Sequence, residues 1–443
     1  MSRFEEVVEV AKAAMEDLSV PGVALGVLFE GEEELAGLGV TSVEHPLEVT
    51  PDTLFQVGSI TKTFTATAIM RLVEDGKIGL DDSVRAHLPS FRLADEEVAE
   101  RATIRQLLTH TGGWLGDYFD DLGPGEEALA RMVERLAEQP QLTSLGEVYS
   151  YNNAAFYVAG RVIEVATGQP FETAIRELVL APLGLEAASF FADDVITHRF
   201  AVGHEKDEAG ETVVARPWSI GRAAHPAGGL VMSTRDLMRY ARFWIEGGDL
   251  LRPESVEEML RPQVPIGGNV DAVGLAWMLM SIEGVRLIGH SGGTKGQVTF
   301  LGMAPEQGLA LVVFTNHSYG GVLTERVAAK AYEAYLGVRE PELEAVELDA
   351  APYLGRYSSR MADLELVEAE AGLELRYLPK GGFPTPDTPP PPPPPPASVR
   401  FASEDELFCV DEIWKGERIL FLRDPEGRIK WLRAGGRVYS PAG

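Results

Sequence analysis

The sequence of 443 residues has a single cysteine, Cys409, and lacks long uninterrupted hydrophobic segments. One thiol cannot form an intrachain disulfide, so the fold needs no oxidising compartment and a disulfide-rich secreted scaffold is excluded. No stretch reaches the roughly 18 consecutive apolar residues of a membrane-spanning helix. The first 20 residues lack the apolar core and the small-residue cleavage site of a signal peptide. We therefore expect a soluble, cytoplasmic protein without a membrane partner.

Basic residues are scarce relative to acidic ones. The chain has 39 Lys and Arg against 68 Asp and Glu, which gives a formal net charge of -29 at pH 7. Such a charge repels the phosphates of nucleic acids and anionic lipid headgroups, so neither is an expected partner. The eight histidines never fall in the His-x-His or His-Glu-x-x-His spacing that is typical of zinc sites. We expect no metal and no cofactor, and a small-molecule or peptide substrate.

Hydrophobic periodicity divides the first 340 residues into helices and strands. Residues 1–20 have apolar side chains at helical spacing, and strand-like runs at 23–29 and 34–39 predict a hairpin. Three- and four-residue spacing then predicts helices at 61–75, 126–138, 156–166, 171–180 and 234–245. Strand patterns return at 285–288, 298–302 and 309–315, before a last helix at 323–335. We predict an α/β sandwich whose sheet is assembled from both ends of a domain at 1–340.

The pattern changes in the last hundred residues, where short strands alternate with turns and no convincing helix is present. Residues 350–443 therefore predict a separate all-β barrel or sandwich. A loop at 384–396 ends in eight consecutive prolines. These would form a polyproline II rod of about 25 Å, at roughly 3.1 Å per residue. We interpret the loop as a solvated spacer, with a recognition arm or lid as the alternative.

The first candidate for chemistry is Ser59-Ile60-Thr61-Lys62, at the start of the predicted helix 61–75. The i, i+3 spacing places Ser59 and Lys62 on one helical face. Unpaired backbone N–H groups at a helix N-terminus can stabilise an oxyanion, and a nearby amine can accept the serine proton. The pKa of Lys62 would have to fall by about 3 units, which burial can supply. The alternative interpretation of Ser59 is an ordinary helix N-cap.

The second candidate is the sequence YSYNN at 149–153, before the helix predicted at 156–166. A phenol beside a lysine ammonium can have its pKa lowered, and it can then pass a proton between a nucleophile and a leaving group. The alternative is a turn with packed aromatic rings.

The third candidate is GHSGGTKG at 289–296, between two predicted strands. Its first five residues fit a Gly-x-Ser-x-Gly nucleophile elbow, which requires a helix to follow. Here a strand pattern follows, and the downstream histidine, His317, is too close in sequence for an α/β-hydrolase. In the favoured interpretation, His290 and Ser291 lie on a sheet-edge strand and face a pocket, and the amide of Gly293 completes an oxyanion hole.

The ordered set of motifs resembles the serine β-lactamase and penicillin-binding-protein superfamily. It consists of a Ser-x-x-Lys, a Tyr-x-Asn about 90 residues later and a His-x-Gly about 140 residues further on. The chain is most similar to the class C β-lactamase-like group of esterases, D-aminopeptidases and D-Ala-D-Ala carboxypeptidases. The resemblance spans residues 5–335 and includes FQVG at 55–58, GLDD at 79–82, IRQLLTHTGG at 104–113, APLGL at 181–185 and AGGL at 227–230. It implies a sandwich with an antiparallel sheet and a helical subdomain. YLGRY at 353–357 and RVY at 437–439 resemble a lipocalin-like barrel found in some members.

Carried over to this sequence, the resemblance implies specific catalytic roles. Ser59 would be the acylated nucleophile, Lys62 its proton acceptor and Tyr151 the proton shuttle. His290 stands where the superfamily has the lysine of a Lys-Thr-Gly motif, and the amides of Ser59 and Gly293 would form the oxyanion hole.

Asn153 would orient Lys62 or the substrate amide. Two residues depart from the family pattern: Asn152 replaces a frequent serine, and Ala155 replaces a frequent glycine. Neither removes a catalytic group. His110 belongs to a turn that is structural in this group.

The resemblance implies a serine hydrolase that works through an acyl-enzyme on amide or ester bonds. His290 is mostly neutral near pH 7 if unperturbed, so the usual fixed charge for a substrate carboxylate is missing unless Lys295 replaces it. This favours a D-amino-acid-type peptidase or an esterase over a β-lactamase or a D-Ala-D-Ala carboxypeptidase. The alternative of another class is a penicillin-binding sensor module without turnover. The oligomeric state is left open, a homo-oligomer included, and the barrel is expected to gate the cleft or to join subunits.

Overall fold

The computed structural model describes residues 1–218, 220–370, 372–411 and 414–442. Its helices are α1 (Arg3–Leu18), α2 (Thr61–Glu74), α3 (Val84–His87), α4 (Glu96–Arg101), α5 (Ile104–Leu108), α6 (Ala128–Arg135), α7 (Asn153–Thr167), α8 (Phe171–Ile175), α9 (Ala192–Val195), α10 (His225–Gly228), α11 (Thr234–Glu246), α12 (Pro253–Leu260) and α13 (Gly320–Leu336). Its first twelve strands are β1 (Gly22–Phe29), β2 (Glu32–Gly39), β3 (Leu54–Gln56), β4 (His204–Lys206), β5 (Thr212–Val214), β6 (Val231–Ser233), β7 (Val264–Gly267), β8 (Val270–Val273), β9 (Met278–Ile282), β10 (Val285–Thr294), β11 (Gln297–Ala304) and β12 (Leu309–Thr315). The last eight are β13 (Gly355–Ser358), β14 (Ala362–Ala369), β15 (Gly372–Pro379), β16 (Ala397–Ser403), β17 (Glu406–Cys409), β18 (Arg418–Arg423), β19 (Ile429–Ala434) and β20 (Arg437–Pro441).

An eight-stranded antiparallel sheet forms the centre of the first domain, in the order β2-β1-β12-β11-β10-β9-β8-β7. The N-terminal hairpin of β1 and β2 joins the C-terminal strands through β1 and β12, where Gly26 is opposite Val312. The prediction of an α/β sandwich whose antiparallel sheet is built from both ends of the domain is therefore confirmed.

Alternate residues of β1 belong to two different cores, as the two-residue period of a strand requires. Val23, Leu25 and Val27 pack with α1 and α13 on one face of the sheet. Ala24 and Leu28 face the larger core on the other side, which includes residues of α2, α7 and α11. This second layer is the helical region that carries the candidate site.

The predicted helices and strands are present with small shifts at their ends, but the six short strands β4 to β9 were missed. The pattern at 61–75 corresponds to α2, and the pattern at 171–180 corresponds to α8 followed by a π-helical segment, Arg176–Leu180. The missed strands β7, β8 and β9 extend the sheet beyond β10. Each has only four or five residues, too few to establish a clear periodicity.

The second domain is a closed antiparallel barrel in which β13 to β20 follow one another in chain order. The strand pattern alone left a barrel and a sandwich open, whereas the family resemblance implied a barrel. The pairing of β13 with β20 closes the barrel and confirms that prediction. Its interior is packed with side chains that include Tyr353, Phe401 and Phe421. The proline-rich loop connects β15 to β16, and most of its prolines are exposed.

Candidate active site

Ser59 lies in a single 3₁₀ turn, Gly58–Ile60, which connects β3 to α2. The Nζ atom of Lys62, one turn along, is 3.0 Å from the Oγ atom of Ser59 and donates a second hydrogen bond of 2.6 Å to the carbonyl of Ala227. Ile60 is the residue that caps α2, and it makes no side-chain capping bond. The N-cap interpretation of Ser59 is therefore not observed, and its hydroxyl is directed to the lysine instead.

Lys62 is completely buried. Burial is the largest cause that holds the pKa of its ammonium well below the usual value, because a charged amine loses its hydration there. The Arg437 guanidinium lowers that pKa further, while the Asp117 carboxylate raises it. The net effect favours the neutral amine, which is the form that can accept a proton from Ser59.

Tyr151 precedes α7 and packs against His110, whose ring is stacked on the phenol with centroids 4.4 Å apart. The Nδ1 atom of His110 accepts a hydrogen bond from the backbone N–H of Asn152 at 2.9 Å. The Nζ atom of Lys62 is 4.9 Å from the centroid of the Tyr151 ring. His110 thus holds the tyrosine segment through ring stacking and a backbone hydrogen bond, which is a structural role.

The expectation that a lysine ammonium lowers the pKa of Tyr151 is wrong. Burial raises that pKa above the usual value, although Ser59 and Arg437 act in the opposite direction. The cause is the loss of hydration that burial imposes on the charged phenolate. Ser59 is close enough to the Tyr151 hydroxyl to lower its pKa. That hydroxyl nevertheless makes no well-formed hydrogen bond with the described residues. Tyr151 is therefore a protonated phenol at neutral pH.

Asn153 lies at the start of α7, and its side chain does not point to Lys62. Its Nδ2 atom donates to the Oδ1 atom of Asp117 at 2.9 Å. The preceding residue, Asn152, caps α7 by accepting a 2.8 Å hydrogen bond from the N–H of Ala155. The asparagine that departs from the family pattern thus fulfils a capping role for which asparagine is well suited.

His290 lies on β10 and is buried, with its ring 6.2 Å from that of Tyr151. β9 pairs with β10 only as far as Gly289. Residues 290–294 pair with β11 on one side, and their other edge is next to the site. Burial lowers the pKa of His290 to about 3, and its Nδ1–H donates to the Ser291 carbonyl at 2.6 Å. His290 is therefore neutral. Ser291, which was expected to face the same pocket, is exposed instead, because neighbouring residues of a strand point to opposite faces.

The end of β10 lies directly against the segment that precedes the nucleophile. A Cβ atom on Gly58, which has a φ of +53°, would lie 2.6 Å from the backbone nitrogen of Gly293. A Cβ atom on Gly292 would lie 1.9 Å from the carbonyl oxygen of Val57. Glycine at these positions therefore lets the two backbones approach, and it brings the amide of Gly293 next to the turn that carries Ser59.

The sequence left two alternatives open for the third motif. β10 is followed by a tight turn into β11 and not by a helix, which excludes a nucleophile elbow. The ammonium of Lys295 donates to the carbonyl of Arg216 at 2.7 Å and lies 3.8 Å from a carboxylate oxygen of Glu205, so it is directed to those two residues.

The sequence did not indicate three participants in the site: Asp117, Arg437 and the carbonyl of Ala227. Arg437 of the barrel donates to both carboxylate oxygens of Asp117, at 2.6 and 3.0 Å. The motif AGGL at 227–230 could have pointed to Ala227. No local pattern pairs Asp117 with a residue 320 positions away.

The described residues contain no group of three His, Cys, Asp or Glu side chains placed to hold a metal ion. Likewise, none of the helices in the described ranges is long and apolar enough to cross a bilayer.

Comparison with known proteins identifies the family of this chain. Residues 7–335 match the family model described as Beta-lactamase. Penicillin-binding protein 4 of Amycolatopsis lactamdurans is 33% identical over 357 residues, which cover 76% of this chain and 93% of that protein.

Two solved structures are similar over nearly the whole chain. SurE is 27% identical, with a TM-score of 0.76 over 99% of both chains, and its structure with D-Leu gives a TM-score of 0.74. The octameric penicillin-binding protein homologue from Pyrococcus abyssi is 26% identical, with a TM-score of 0.67 over 95% of this chain and 96% of that one. The chain belongs to the β-lactamase family.

Proposed function

We propose that this serine hydrolase of the β-lactamase family acylates Ser59 and hydrolyses amide or ester bonds, as a D-amino-acid-type peptidase or an esterase. One observation carries the proposal: a fully buried amine, Lys62 Nζ, lies 3.0 Å from the Ser59 hydroxyl. A buried amine of lowered pKa beside a serine is the arrangement that activates such a nucleophile.

The proposed reaction has two halves. In the first, the Ser59 oxygen attacks the substrate carbonyl carbon while Lys62 accepts the hydroxyl proton. The amides of Ser59 and Gly293 stabilise the oxyanion. The tetrahedral intermediate then expels the amine or alkoxide, which receives a proton through the Tyr151 phenol, and an ester on Ser59 remains. In the second half, water attacks that ester, the carboxylic acid leaves and the Ser59 hydroxyl is restored.

The charges around the cleft support substrates without an obligatory carboxylate contact at β10. His290 is neutral, with a pKa of about 3. Lys295 is engaged with the Arg216 carbonyl, and Arg437 is paired with Asp117. The similarity to SurE, whose structure was solved with D-Leu, supports a D-amino acid as part of the substrate.

A panel of chromogenic substrates tests the proposal: nitrocefin, p-nitrophenyl acetate, and the p-nitroanilides of D- and L-alanine. Turnover of the ester or of the D-anilide, absent in Ser59→Ala, is the expected result. Efficient nitrocefin hydrolysis would reassign the protein to the β-lactamases. A permanent adduct without product would make it a penicillin-binding sensor. Turnover that survives in Ser59→Ala would remove the basis of the mechanism.

We also infer that the protein forms a homo-oligomer. The Pyrococcus abyssi homologue, which is similar to it over 95% of the chain, is described as octameric. Light scattering after size-exclusion chromatography tests this, and a mass of 48.1 kDa would refute it.

A further inference from the structure

We propose that the turn between the last two barrel strands is part of the acyl-transfer site, and that Arg437 is a positioning residue for Tyr151 and Asn153. The inference rests on the proposed role of Ser59 and goes beyond it. It assigns a function in catalysis to the C-terminal domain.

The turn itself is short. Ala434 pairs with Arg437 across β19 and β20, so the loop consists of Gly435 and Gly436 alone. Both glycines have positive φ angles, +52° and +75°, as a two-residue type I′ hairpin loop requires. Side chains would be strained at either position, so the Gly-Gly pair lets the hairpin end in a narrow tip.

The tip makes direct backbone contacts with the tyrosine segment. The N–H of Tyr151 donates to the carbonyl of Gly436 at 2.9 Å. The N–H of Val438 donates to the hydroxyl of Ser150 at 3.3 Å. Tyr151 lies just before α7, outside any helix or strand of its own domain. The barrel therefore supplies the hydrogen bond that a regular element would otherwise provide.

Arg437 extends this contact to the side chains. Its Nε and Nη2 atoms donate to the two carboxylate oxygens of Asp117, and its Cζ atom is 5.0 Å from the Tyr151 ring centroid. Asp117 also accepts from Asn153. The planar guanidinium matches a carboxylate in a way that a lysine ammonium cannot. One barrel side chain thus holds Asp117, and Asp117 holds Asn153.

Arg437 also contributes to the electrostatics of the base. Five charged or titratable groups influence or border Lys62: Arg437, Asp117, His110, His290 and Tyr151. Burial keeps both histidines and the phenol towards their neutral forms. Asp117 and Arg437 are then the charged pair, and they act on the pKa of Lys62 in opposite directions. Removing either partner should shift the pH dependence of acylation, with opposite signs.

The barrel has other contacts with the first domain that do not reach the site. Lys430 of β19 forms an ion pair with Glu147, and the ring of Phe383 packs edge-on against Phe119 at 4.8 Å. Lys430→Met is therefore a matched control, because it removes an ion pair between the domains and leaves Asp117 and Tyr151 untouched.

The experiment measures the acylation of the full-length protein by p-nitrophenyl acetate, as a stopped-flow burst from pH 5 to 10. Arg437→Gln should slow acylation by about 100-fold, the effect of a catalytic group misplaced by about 1 Å. The rising limb of its pH profile should move to higher pH by on the order of one unit. Asp117→Asn should also slow acylation but move the limb to lower pH. Arg437→Lys should retain the position of the wild-type limb with part of the rate loss, and Lys430→Met should stay within about twofold of wild type.

The result that overturns the inference is a burst rate and pH limb in Arg437→Gln that match those of Lys430→Met. That outcome would make Arg437 a docking residue only. If Arg437→Gln does not fold, Asp117→Asn decides alone, and an unshifted limb at the wild-type rate rejects the proposal. Failure of the proposed function looks different, because wild type would then give no burst that depends on Ser59.

Discussion

Lys62→Met tests whether the amine beside Ser59 is neutral in the folded protein. The substitution replaces the buried amine with an apolar side chain of similar length, and it removes the hydrogen bonds to Ser59 and Ala227. The loss of a general base should lower the acylation rate by a factor of about 10² to 10⁴, or roughly 3–5 kcal/mol. The effect on the free energy of unfolding should depend on pH. Burial of this amine opposes folding at every pH at which the unfolded chain would carry the charge.

The sign follows from proton linkage. An unfolded lysine holds its proton up to the usual pKa of 10.5, whereas folded Lys62 releases it well below that value. Folding therefore releases a proton in that window, and rising pH favours the folded state of the wild type. The free energy of unfolding of the wild type, relative to that of Lys62→Met, should increase by about 1.4 kcal/mol for each pH unit in the window. This slope does not depend on how much the unpaired Ala227 carbonyl costs.

The assay is urea unfolding followed by tryptophan fluorescence at pH 7, 8 and 9, on wild type, Lys62→Met and Ser59→Ala. Ser59→Ala keeps the amine, so it should retain the wild-type slope. A difference between wild type and Lys62→Met that stays constant over these pH values would show that folded Lys62 is charged. The proposed role of the lysine as base would then be refuted.

Three further predictions concern single side chains. Tyr151→Phe should lower kcat by about 10²- to 10⁴-fold. It should change the unfolding free energy by less than about 0.5 kcal/mol, because the hydroxyl makes no well-formed hydrogen bond with the described residues. A large loss of stability would contradict this. Gly292→Ala should destabilise the protein and abolish acylation, since its methyl group would collide with the carbonyl of Val57, just before the nucleophile. A methyl group on Gly293 would meet open space, so Gly293→Ala should have the melting temperature of wild type. Equal melting temperatures for the two variants would be inconsistent with this packing. Glu172→Ala should lower the unfolding free energy by about 3 kcal/mol, because it leaves the partly buried Arg222 and the buried His225 without the carboxylate that both contact. The pKa of Glu172 is lowered to about 2, so the stabilisation should be present above pH 4.5 and be lost as pH falls towards 2, which acid unfolding of both proteins can check.

Local periodicity predicted most of the first domain. Apolar spacing at 61–75 corresponds to α2, and the i, i+3 relation of Ser59 and Lys62 follows from helix geometry alone. The strands β4 to β9 were not predicted, because short segments separated by turns show too few repeats of any pattern. The barrel followed from the family resemblance, whereas the strand pattern alone could not show its closure, since β13 and β20 pair across almost the whole second domain.

The ionisation states of the site depend on tertiary packing that no sequence pattern reports. The pKa of Tyr151 moves upwards because the phenol is buried. The orientation of Asn153 towards Asp117 depends on Arg437, which comes from the other domain. Sequence motifs therefore predicted that Ser59 and Lys62 meet, while the partner of Asn153 and the charges of the site required the structure.

Acyl-enzyme trapping tests the central claim most directly. The protein is mixed with p-nitrophenyl acetate, quenched in acid after milliseconds to seconds, and examined by intact mass and peptide mapping. The account predicts a transient acetyl group on the peptide that contains Ser59, with p-nitrophenol released at the same rate and no adduct in Ser59→Ala. Product formation without any modified Ser59, or an acetyl group carried by another residue, would contradict it.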